Sequence, residues 1–472
     1  MIFSSNIFIY TFLPLCILFY FASRRLFKSC MVANVVLLMF SCLFYVFSSG
    51  KMFAILILSA LISYLAGICI NRSRDHSRII CYVAVMAEAI ILVYFKYFNF
   101  ILDNISKMSQ LVLKRELNVS CDIILPIGIS FFIFQSIAYI FDVYRENVEA
   151  QPNFIKFFLY ISFFPQLIAG PIVRYDEIYN DIDSRRESWD DVYEGLCRFV
   201  IGLSKKVLIA DILGASVDKI YSSDISELTM ALSWSAAFFY MLEIYFDFSG
   251  YSDMAIGMAR IFGFHFNENF DRPYKSKNIT EFWRKWHISL SSWLRDYIYI
   301  PLGGNRKGEA RTYINQLIVF FICGLWHGAA WNFVIWGMYN GILLLIEKVI
   351  KKRYKYELHS WYGNFITGIL VLLGWVLFRG DNLGQSLDFY KSMFGILKPT
   401  SYIYYKYGYY VDMQVIAVAI IGAIIAFAPM DRIESFIKEN VILKNFCIIA
   451  LLVISMIYMS DSSFNAFIYF RF

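Results

Sequence analysis

The sequence has few charged residues, prolines and histidines, and these shortages limit what the chain can be. Charged residues make up 17% of 472 positions, with only 9 prolines and 5 histidines. An ordinary soluble protein carries about 25% charged residues, because its hydrated surface needs them. The low charge therefore excludes a soluble enzyme, a disordered chain and a fibrous repeat.

Several chemical signatures are also missing. The 9 cysteines are scattered, odd in number and never spaced as CxxC, so they indicate neither a disulfide framework nor a zinc site. We interpret them as small buried apolar residues. No P-loop, dinucleotide fingerprint or Ser-His-Asp order occurs. A net charge of +6 is modest for this length, and we expect no nucleic-acid partner.

Long apolar runs dominate instead. Hydrophobic residues make up 59% of the chain and its mean hydropathy is +0.55. A membrane-spanning helix needs about 20 mostly apolar residues. The sequence thus predicts an all-α polytopic membrane protein, a single domain over residues 1–472, with roughly 11–13 membrane helices. The candidate spans are 7–22, 31–48, 52–70, 79–98, 123–141, 154–172, 229–248, 312–326, 330–347, 361–378, 411–429 and 441–459.

Three further stretches, 193–213, 251–263 and 279–300, are too short or too polar for simple spans. Irregular segments at membrane depth persist only where protein or a wet cavity surrounds them. They therefore predict re-entrant or interfacial helices around an internal site.

Basic residues predict the orientation of the chain. Arg24, Arg25 and Lys28 follow the first run, and Arg72, Arg74 and Arg78 follow the third, whereas the loop between the second and third runs is tiny. The positive-inside rule then places the N-terminus outside the cell and both basic loops in the cytoplasm. A third basic cluster is predicted to be cytoplasmic: Lys348, Lys351, Lys352, Arg353 and Lys355.

His327 is the first candidate for chemistry, because imidazole inside a membrane is costly. It lies in CGLWHGAAW (323–331), among small residues that permit close helix approach or a local break. A neutral imidazole can accept a proton and act as a general base. A histidine that satisfies a neighbouring helix carbonyl fits the same local sequence. Trp326, Trp331 and Trp336 are the nearby indoles that could line a cavity.

His287 is the second candidate. Asn278, with Glu281 three residues later, predicts a helix that begins at Ile279 and ends near Pro301. On a continuous helix, Trp283 and His287 would share a buried aromatic face. Its basic residues predict a polar funnel, and a purely interfacial helix is the alternative. We interpret the other three histidines differently: His76 and His359 as solvated, His265 as structural.

A metal or haem site is a weaker interpretation. Cys323 and His327 are four residues apart, as in half of a metal site, but no second pair with metal-ligand spacing accompanies them. We therefore expect no metal and no tightly bound cofactor.

Nine stretches across the chain resemble one family. They are MIFSSN (1–6), FPQLIAGPIVR (164–174), DFSGYSD (247–253), NFDRPY (269–274), EFWRKWH (281–287), WLRDY (293–297), IPLGGN (300–305), LWHGAAW (325–331) and FIYFRF (467–472). Together they resemble the membrane-bound O-acyltransferase (MBOAT) family, and within it the AlgI-like branch (alginate O-acetylation). Lys285 is a minor departure, because relatives often carry two arginines at 284 and 285.

The resemblance implies a helical fold around a central tunnel, with His327 in the active site and His287 as the second family histidine. It implies that an acetyl group moves from acetyl-CoA, or another cytoplasmic acyl thioester such as that of an acyl carrier protein, to an extracytoplasmic polysaccharide. It also implies that the protein lies in the bacterial inner membrane. A separate SGNH-type acetyltransferase is the expected partner, and membrane lipid surrounds the chain. We place further residues along the site or tunnel: Trp283, Trp286, Arg284, Trp293, Arg295, Asp296, Trp326, Asn332 and Trp336.

Roles for these residues follow from the expected chemistry. The oxyanion of acyl transfer needs donors, for which Trp326, Asn332 and His287 are candidates. Arg284, Lys285 and Arg295 could attract donor phosphates or simply anchor the chain by the positive-inside rule. We expect Asp247 and Asp253 to support structure. Two other functions stay open: D-alanyl transfer to teichoic acid (DltB-like), and a transporter of an acyl carrier or lipid-linked sugar, which would not need His327 as a proton acceptor.

Overall fold

The computed structural model describes residues 1–114, 121, 123–354, 361–397, 399, 407–461 and 467–468. These residues form helices joined by short loops, without a β-strand among them. The chain divides into two compact units, Met1–Leu196 with Ala255–Asn267, and Cys197–Met254 with Glu268–Phe472. The single domain over residues 1–472 stays a prediction. His359 and Lys355 lie outside the described residues, and His76 is exposed as predicted.

The first unit contains nine complete helices among its described residues. They are α1 (Leu13–Phe27), α2 (Cys30–Ser49), α3 (Phe53–Arg72), α4 (Ser77–Leu92), α5 (Phe98–Leu113), α6 (Ile129–Tyr144), α7 (Phe154–Ser162), α8 (Phe164–Leu167) and α9 (Tyr175–Ser184). A polar cluster ties α1 to the segment after α9. The Arg24 guanidinium donates to Glu187 at 2.9 Å, and buried Arg185 donates to the Tyr20 hydroxyl at 2.8 Å. Removing one partner would leave a buried guanidinium or carboxylate uncompensated, so these contacts hold α1 against this segment.

Two helices continue from one unit into the other, α10 (Trp189–Ser204) and α12 (Met230–Ile261). The second unit adds α11 (Asp211–Tyr221), α13 (Ile279–Lys285), α14 (Ile288–Leu294), α15 (Glu309–His327), α16 (Trp331–Tyr354), α17 (Trp361–Arg379), α18 (Leu383–Met393), α19 (Tyr407–Tyr410), α20 (Met413–Phe427), α21 (Asp431–Glu439) and α22 (Val441–Asp461). All candidate catalytic residues belong to this unit.

Six helical segments of the described chain are long and apolar enough to cross a membrane, or seven if the bent pair α20 and α21 forms one span. They are Phe8–Phe27, Cys30–Arg72, Arg74–Leu113, Trp331–Tyr354, Trp361–Arg379 and Val441–Ser460. The chain is therefore an all-α, multi-pass membrane protein. Fewer segments pass than the roughly 11–13 predicted, because some apolar runs form short or broken helices. The run at 123–141 gives a helix of 16 residues, and the run at 154–172 breaks at Phe163.

Candidate active site

Helices α15 and α16 form a tightly packed hairpin that carries His327. A Cβ atom added at Gly324 would lie 2.4 Å from the Phe333 carbonyl oxygen, and one added at Gly337 would lie 2.2 Å from the Phe320 carbonyl oxygen. Only glycine allows the two backbones to approach this closely. The hairpin places His327, the last residue of α15, beside the first turns of α16.

His327 is buried in a box of aromatic rings. Its ring centroid lies 4.9 Å from Trp326, 5.0 Å from Trp336 and 5.1 Å from Phe378 of α17. All three rings meet the imidazole edge to face, with interplanar angles of 77–89°. The side chain is thus held in an enclosed apolar site, where an imidazole can remain neutral and accept a proton.

His287 lies in a break between two short helices, so the predicted continuous helix over 279–300 is wrong. The start at Ile279 is confirmed, because Asn278 Oδ1 accepts the Glu281 backbone N–H at 2.7 Å. However, α13 ends at Lys285 and α14 begins at Ile288. His287 adopts a left-handed conformation with φ of 44°, which is costly for a residue with a Cβ atom.

The loop before α13 pairs with the broken backbone and holds it open. The Lys285 carbonyl accepts the Asp271 N–H at 3.0 Å, and the Ile288 N–H donates to the Asn269 carbonyl at 2.9 Å. The Ser289 N–H donates to the Asn269 side-chain oxygen at 3.3 Å. These bonds satisfy groups that a continuous helix would have paired internally, so the break follows from tertiary contacts.

Asn269 also determines which nitrogen of His287 carries the proton. Its Oδ1 faces the Ser289 N–H, which can only donate, so this atom is the amide oxygen. The same oxygen lies 3.1 Å from His287 Nδ1, and therefore Nδ1 donates to it. Asn269 Nδ2 in turn donates to the Ser252 hydroxyl at 3.0 Å. The lone pair of neutral His287 is then on Nε2.

His287 Nε2 is buried and has no hydrogen-bond partner within the described chain. Complete burial lowers the pKa of His287 from its ordinary value of 6.5 to about 3, so the ring is neutral near pH 7. Phe248 and Phe270 pack against it, with centroids 4.6 and 6.4 Å away. The ring is therefore placed to accept a hydrogen bond. This geometry disagrees with the predicted oxyanion-donor role, which needs an N–H at that nitrogen.

The two histidines meet around one indole. Trp326 has its ring centroid 5.8 Å from that of His287 and 4.9 Å from that of His327. Two motifs that are 40 positions apart are thus brought to one buried site. Among the described residues, no three His, Cys, Asp or Glu side chains come together as metal ligands.

Three other predicted tryptophans extend this aromatic site. Trp336 packs on Trp283 at 5.8 Å and on Trp375 at 5.7 Å, and Trp286 packs on Trp375 at 4.9 Å. Trp283 Nε1 is a buried donor with no partner among the described residues. Trp375 and Phe378 were not predicted as site residues, because α17 carries only an apolar pattern in the sequence. Asn269 was quoted within its motif but given no role.

Asn332 is not placed to stabilise an oxyanion. Its Nδ2 group donates to the carbonyl oxygens of Gly380 at 2.7 Å and Leu377 at 3.4 Å. These carbonyls are at the end of α17, where backbone acceptors lack helical partners. Asn332 therefore caps α17, and the predicted donor role for it is wrong.

The predicted basic residues are not part of the histidine site. Arg295 is exposed and pairs with its neighbour Asp296, with 2.6 Å between Nε and Oδ1. Arg284 is also exposed and lines a cavity that includes neither histidine. Trp293 is buried against Tyr297 at 5.2 Å. Trp331, expected to line the site, is 51% exposed, because it begins α16 and points away from the hairpin core.

The two aspartates of the DFSGYSD stretch form ion pairs, as expected for structural roles. Asp247 lies 2.7 Å from Lys206 Nζ, which also contacts Asp211 at 2.7 Å. Asp253 pairs with Arg198 at 2.9 Å and with Lys205 at 2.6 Å. These pairs tie α12 to the segment between α10 and α11.

Comparison with known proteins identifies the family of this chain. A model of the MBOAT, membrane-bound O-acyltransferase family matches residues 17–380. The chain therefore belongs to the membrane-bound O-acyltransferase family. It is 41% identical over 401 residues to a probable alginate O-acetylase AlgI of Pseudomonas syringae pv. tomato, covering 84% of this chain and 75% of that protein.

Two other relatives are named for different activities. A peptidoglycan O-acetyltransferase of Helicobacter pylori is 35% identical over 428 residues, covering 84% of this chain and 80% of that protein. A teichoic acid D-alanyltransferase of Bacillus subtilis is 28% identical over 274 residues, covering 54% and 68%. The predicted family, fold class and enzyme class are confirmed: the protein is a multi-pass membrane O-acyltransferase. The transporter alternative is thereby set aside.

Proposed function

We propose that this O-acyltransferase moves an acetyl group from a cytoplasmic acetyl thioester, acetyl-CoA in the first instance, to a hydroxyl of an extracytoplasmic polysaccharide. In this proposal His327 is the general base. The bacterial inner membrane is the proposed location, with the N-terminus outside. An SGNH-type acetyltransferase on the outer side is the proposed partner that assists acetylation of the polymer.

The observation that carries the proposal is the meeting of His287 and His327 around Trp326 inside a closed aromatic site. A hydroxyl is a weak nucleophile until a base accepts its proton. His287 Nε2, a buried acceptor without a partner in the described chain, can receive the hydroxyl hydrogen bond and orient it. The hydroxyl carries a single hydrogen, so this hydrogen bond to His287 breaks as a neutral His327 in the same site takes the proton.

The proposed acyl transfer needs neither a metal nor a redox group. The acceptor oxygen forms a new bond to the acetyl carbon while the carbon–sulfur bond of the thioester breaks. The proton passes from the hydroxyl to His327 and then to the departing thiolate. The buried Trp283 N–H, which has no partner among the described residues, is the indole that we propose for the oxyanion of the tetrahedral intermediate.

Relatives support acetyl as the acyl group. The alginate O-acetylase and the peptidoglycan O-acetyltransferase each cover 84% of this chain, whereas the D-alanyltransferase match covers 54%. D-alanyl transfer to teichoic acid therefore remains the second candidate. The two acetyltransferases are named for different acceptors, alginate and peptidoglycan, so the experiment must examine more than one polymer.

The test is the O-acetyl ester content of extracellular polysaccharide and cell wall in cells with intact protein, His327→Gln, His327→Ala or His287→Ala. His327→Gln keeps the bulk and the hydrogen bonding of the side chain but cannot serve as a base. We expect the rate of acetyl transfer to fall about 10²–10⁴-fold. His265→Ala is the matched control, because His265 is 59% exposed at its side chain and lies in the first unit. Immunoblots of membranes establish equal protein levels.

Loss of ester in one fraction with His327→Gln, but not with His265→Ala, would support the proposal and identify the acceptor. Normal acetylation with His327→Gln would remove the base role from His327. Unchanged acetyl ester with altered D-alanyl ester would favour the second candidate.

A further inference from the structure

A cavity lies in the same unit, and neither His287 nor His327 lines it. Its volume is about 1040 Å³, large enough for a sizeable ligand. The start of α13, the middle of α15 and the adjoining ends of α16 and α17 form its walls. Of the residues proposed for the acetyl-transfer site, Arg284 alone is among those that line it.

The apolar wall of this cavity includes exposed side chains of α16 and α17. Ile346 and Ile350 of α16 and Ile366 of α17 line it, and their side chains are 49%, 40% and 41% exposed. Both helices are long and apolar enough to cross a membrane. Exposed isoleucines on such helices face hydrocarbon, so the groove between them suits an acyl chain better than a fully hydrated ligand.

The other end of the cavity is cationic. Lys348, Lys351 and Arg284 line it, and Arg284 is exposed without an ion-pair partner among the described residues. Lys348 and Lys351 belong to the basic cluster at the end of α16, which the positive-inside rule places at the cytoplasmic surface. A cluster of this kind at the cytoplasmic end of a membrane helix attracts anionic headgroups.

The acidic residues of the cavity are already engaged within the protein. Glu347 accepts the backbone N–H groups of Ile279 and Thr280 at 2.8 and 3.2 Å. Glu281 pairs with Lys285 at 2.8 Å. The residues that line the cavity include three cations, Arg284, Lys348 and Lys351, and two carboxylates, Glu281 and Glu347, so their summed formal charge is positive and complementary to a phosphate.

We propose that this cavity binds an anionic glycerophospholipid of the surrounding membrane. The phosphate lies against Lys348, Lys351 and Arg284, and one acyl chain follows Ile346, Ile350 and Ile366. The site is independent of the acetyl-transfer site, and its occupancy does not depend on the proposed function.

Native mass spectrometry of the purified protein, with added dioleoyl phosphatidylglycerol, tests the proposal. The intact protein is expected to retain one phosphatidylglycerol in preference to dioleoyl phosphatidylcholine. The double variant Lys348→Gln and Lys351→Gln should bind it about 30-fold more weakly, about 2 kcal/mol. The matched control is Lys352→Gln with Arg353→Gln, which removes the same charge from the same helix end outside the cavity wall.

A second pair of variants tests the apolar wall. Ile366→Trp fills the groove and should reduce lipid retention about tenfold. Phe365→Trp, at a neighbouring exposed position that does not line the cavity, should leave retention unchanged. Equal loss of lipid retention in the two double variants, or no loss of retention with Ile366→Trp, would overturn the proposal.

Two soluble probes distinguish other sources of phosphate. Glycerol 3-phosphate should not compete at millimolar concentration, because it lacks the acyl chain. Displacement of the lipid by glycerol 3-phosphate would reduce the site to a phosphate site and overturn the lipid assignment. Displacement by acetyl-CoA with the same dependence on Lys348 and Lys351 would overturn it in favour of a thioester-donor site.

Discussion

Replacing Asn269 with alanine should damage catalysis through His287, although Asn269 itself is not proposed to touch the substrate. Its side-chain oxygen receives the His287 Nδ1–H, the Ser289 N–H and the Ser289 hydroxyl, at 3.1, 3.3 and 2.9 Å. The substitution removes all three acceptor contacts at once. His287 is then free to protonate Nε2 instead of Nδ1, and the nitrogen that should accept the substrate hydroxyl becomes a donor.

The size of the effect follows from these contacts. A buried donor left without a partner costs about 1–3 kcal/mol. A loss of about 1.4–2.8 kcal/mol in the stability of the Nδ1-protonated tautomer, relative to the Nε2-protonated one, decreases kcat about 10–100-fold. KM should change little, because Asn269 does not line a substrate contact in the proposed mechanism.

The assay is thiol release from acetyl-CoA by purified protein in the presence of acceptor, with kcat and KM measured between pH 3 and pH 9. Ser252→Ala is the matched control, since it removes only the acceptor for Asn269 Nδ2 and should reduce kcat a few-fold at most. Asn269→Asp preserves the acceptor but adds a negative charge. It should raise the pKa of His287 from about 3 and move the acid limb of the pH–rate profile to higher pH.

Two results would refute the reasoning. One is an Asn269→Ala enzyme with normal kcat at a normal protein level. The other is an Asn269→Asp enzyme whose acid limb does not move, because a purely structural asparagine would not affect the titration of His287.

Three further predictions concern stability, measured by thermal unfolding in detergent. Gly337→Ala should lower the free energy of unfolding by more than about 2 kcal/mol, because the new Cβ atom would lie 2.2 Å from the Phe320 carbonyl oxygen. Gly368→Ala, with no atom within 4 Å of the new Cβ, should be neutral or slightly stabilising. Equal effects of the two substitutions would contradict the packing argument. His287 has a lowered pKa of about 3 in the folded protein, so the unfolded chain takes up a proton below pH 6.5 that the native protein does not, and stability should fall by about 1.4 kcal/mol per pH unit from pH 6.5 downward. His287→Gln should flatten that pH dependence, and an unchanged slope would assign it to other groups. Lys206→Met should cost about 3–5 kcal/mol, because it leaves buried Asp247 and partly buried Asp211 without their shared cation. A fully stable variant would show that these ion pairs contribute nothing to the free energy of unfolding.

The sequence alone determined the class of this protein and its two central residues. Low charge and long apolar runs leave a helical membrane protein as the one economical solution, because such surface cannot face water. His287 and His327 stood out because each is a costly residue within an aromatic motif. The start of α13 was also predictable, because Asn278 caps the helix through a hydrogen bond to a residue only three positions away.

Only the tertiary structure decided how those residues act. Nothing in the local sequence of 279–300 requires a break, because neither glycine nor proline interrupts it before Pro301; the loop at Asn269 opens the helix by taking over its hydrogen bonds. The same contact assigns the His287 tautomer, which no spacing can show. For the same reason Trp375 was not identified from the sequence as a site residue, and the cap that Asn332 forms on α17 was not anticipated. A side chain on an apolar helix acquires its role from the partner it meets, and that partner is set by how distant segments pack.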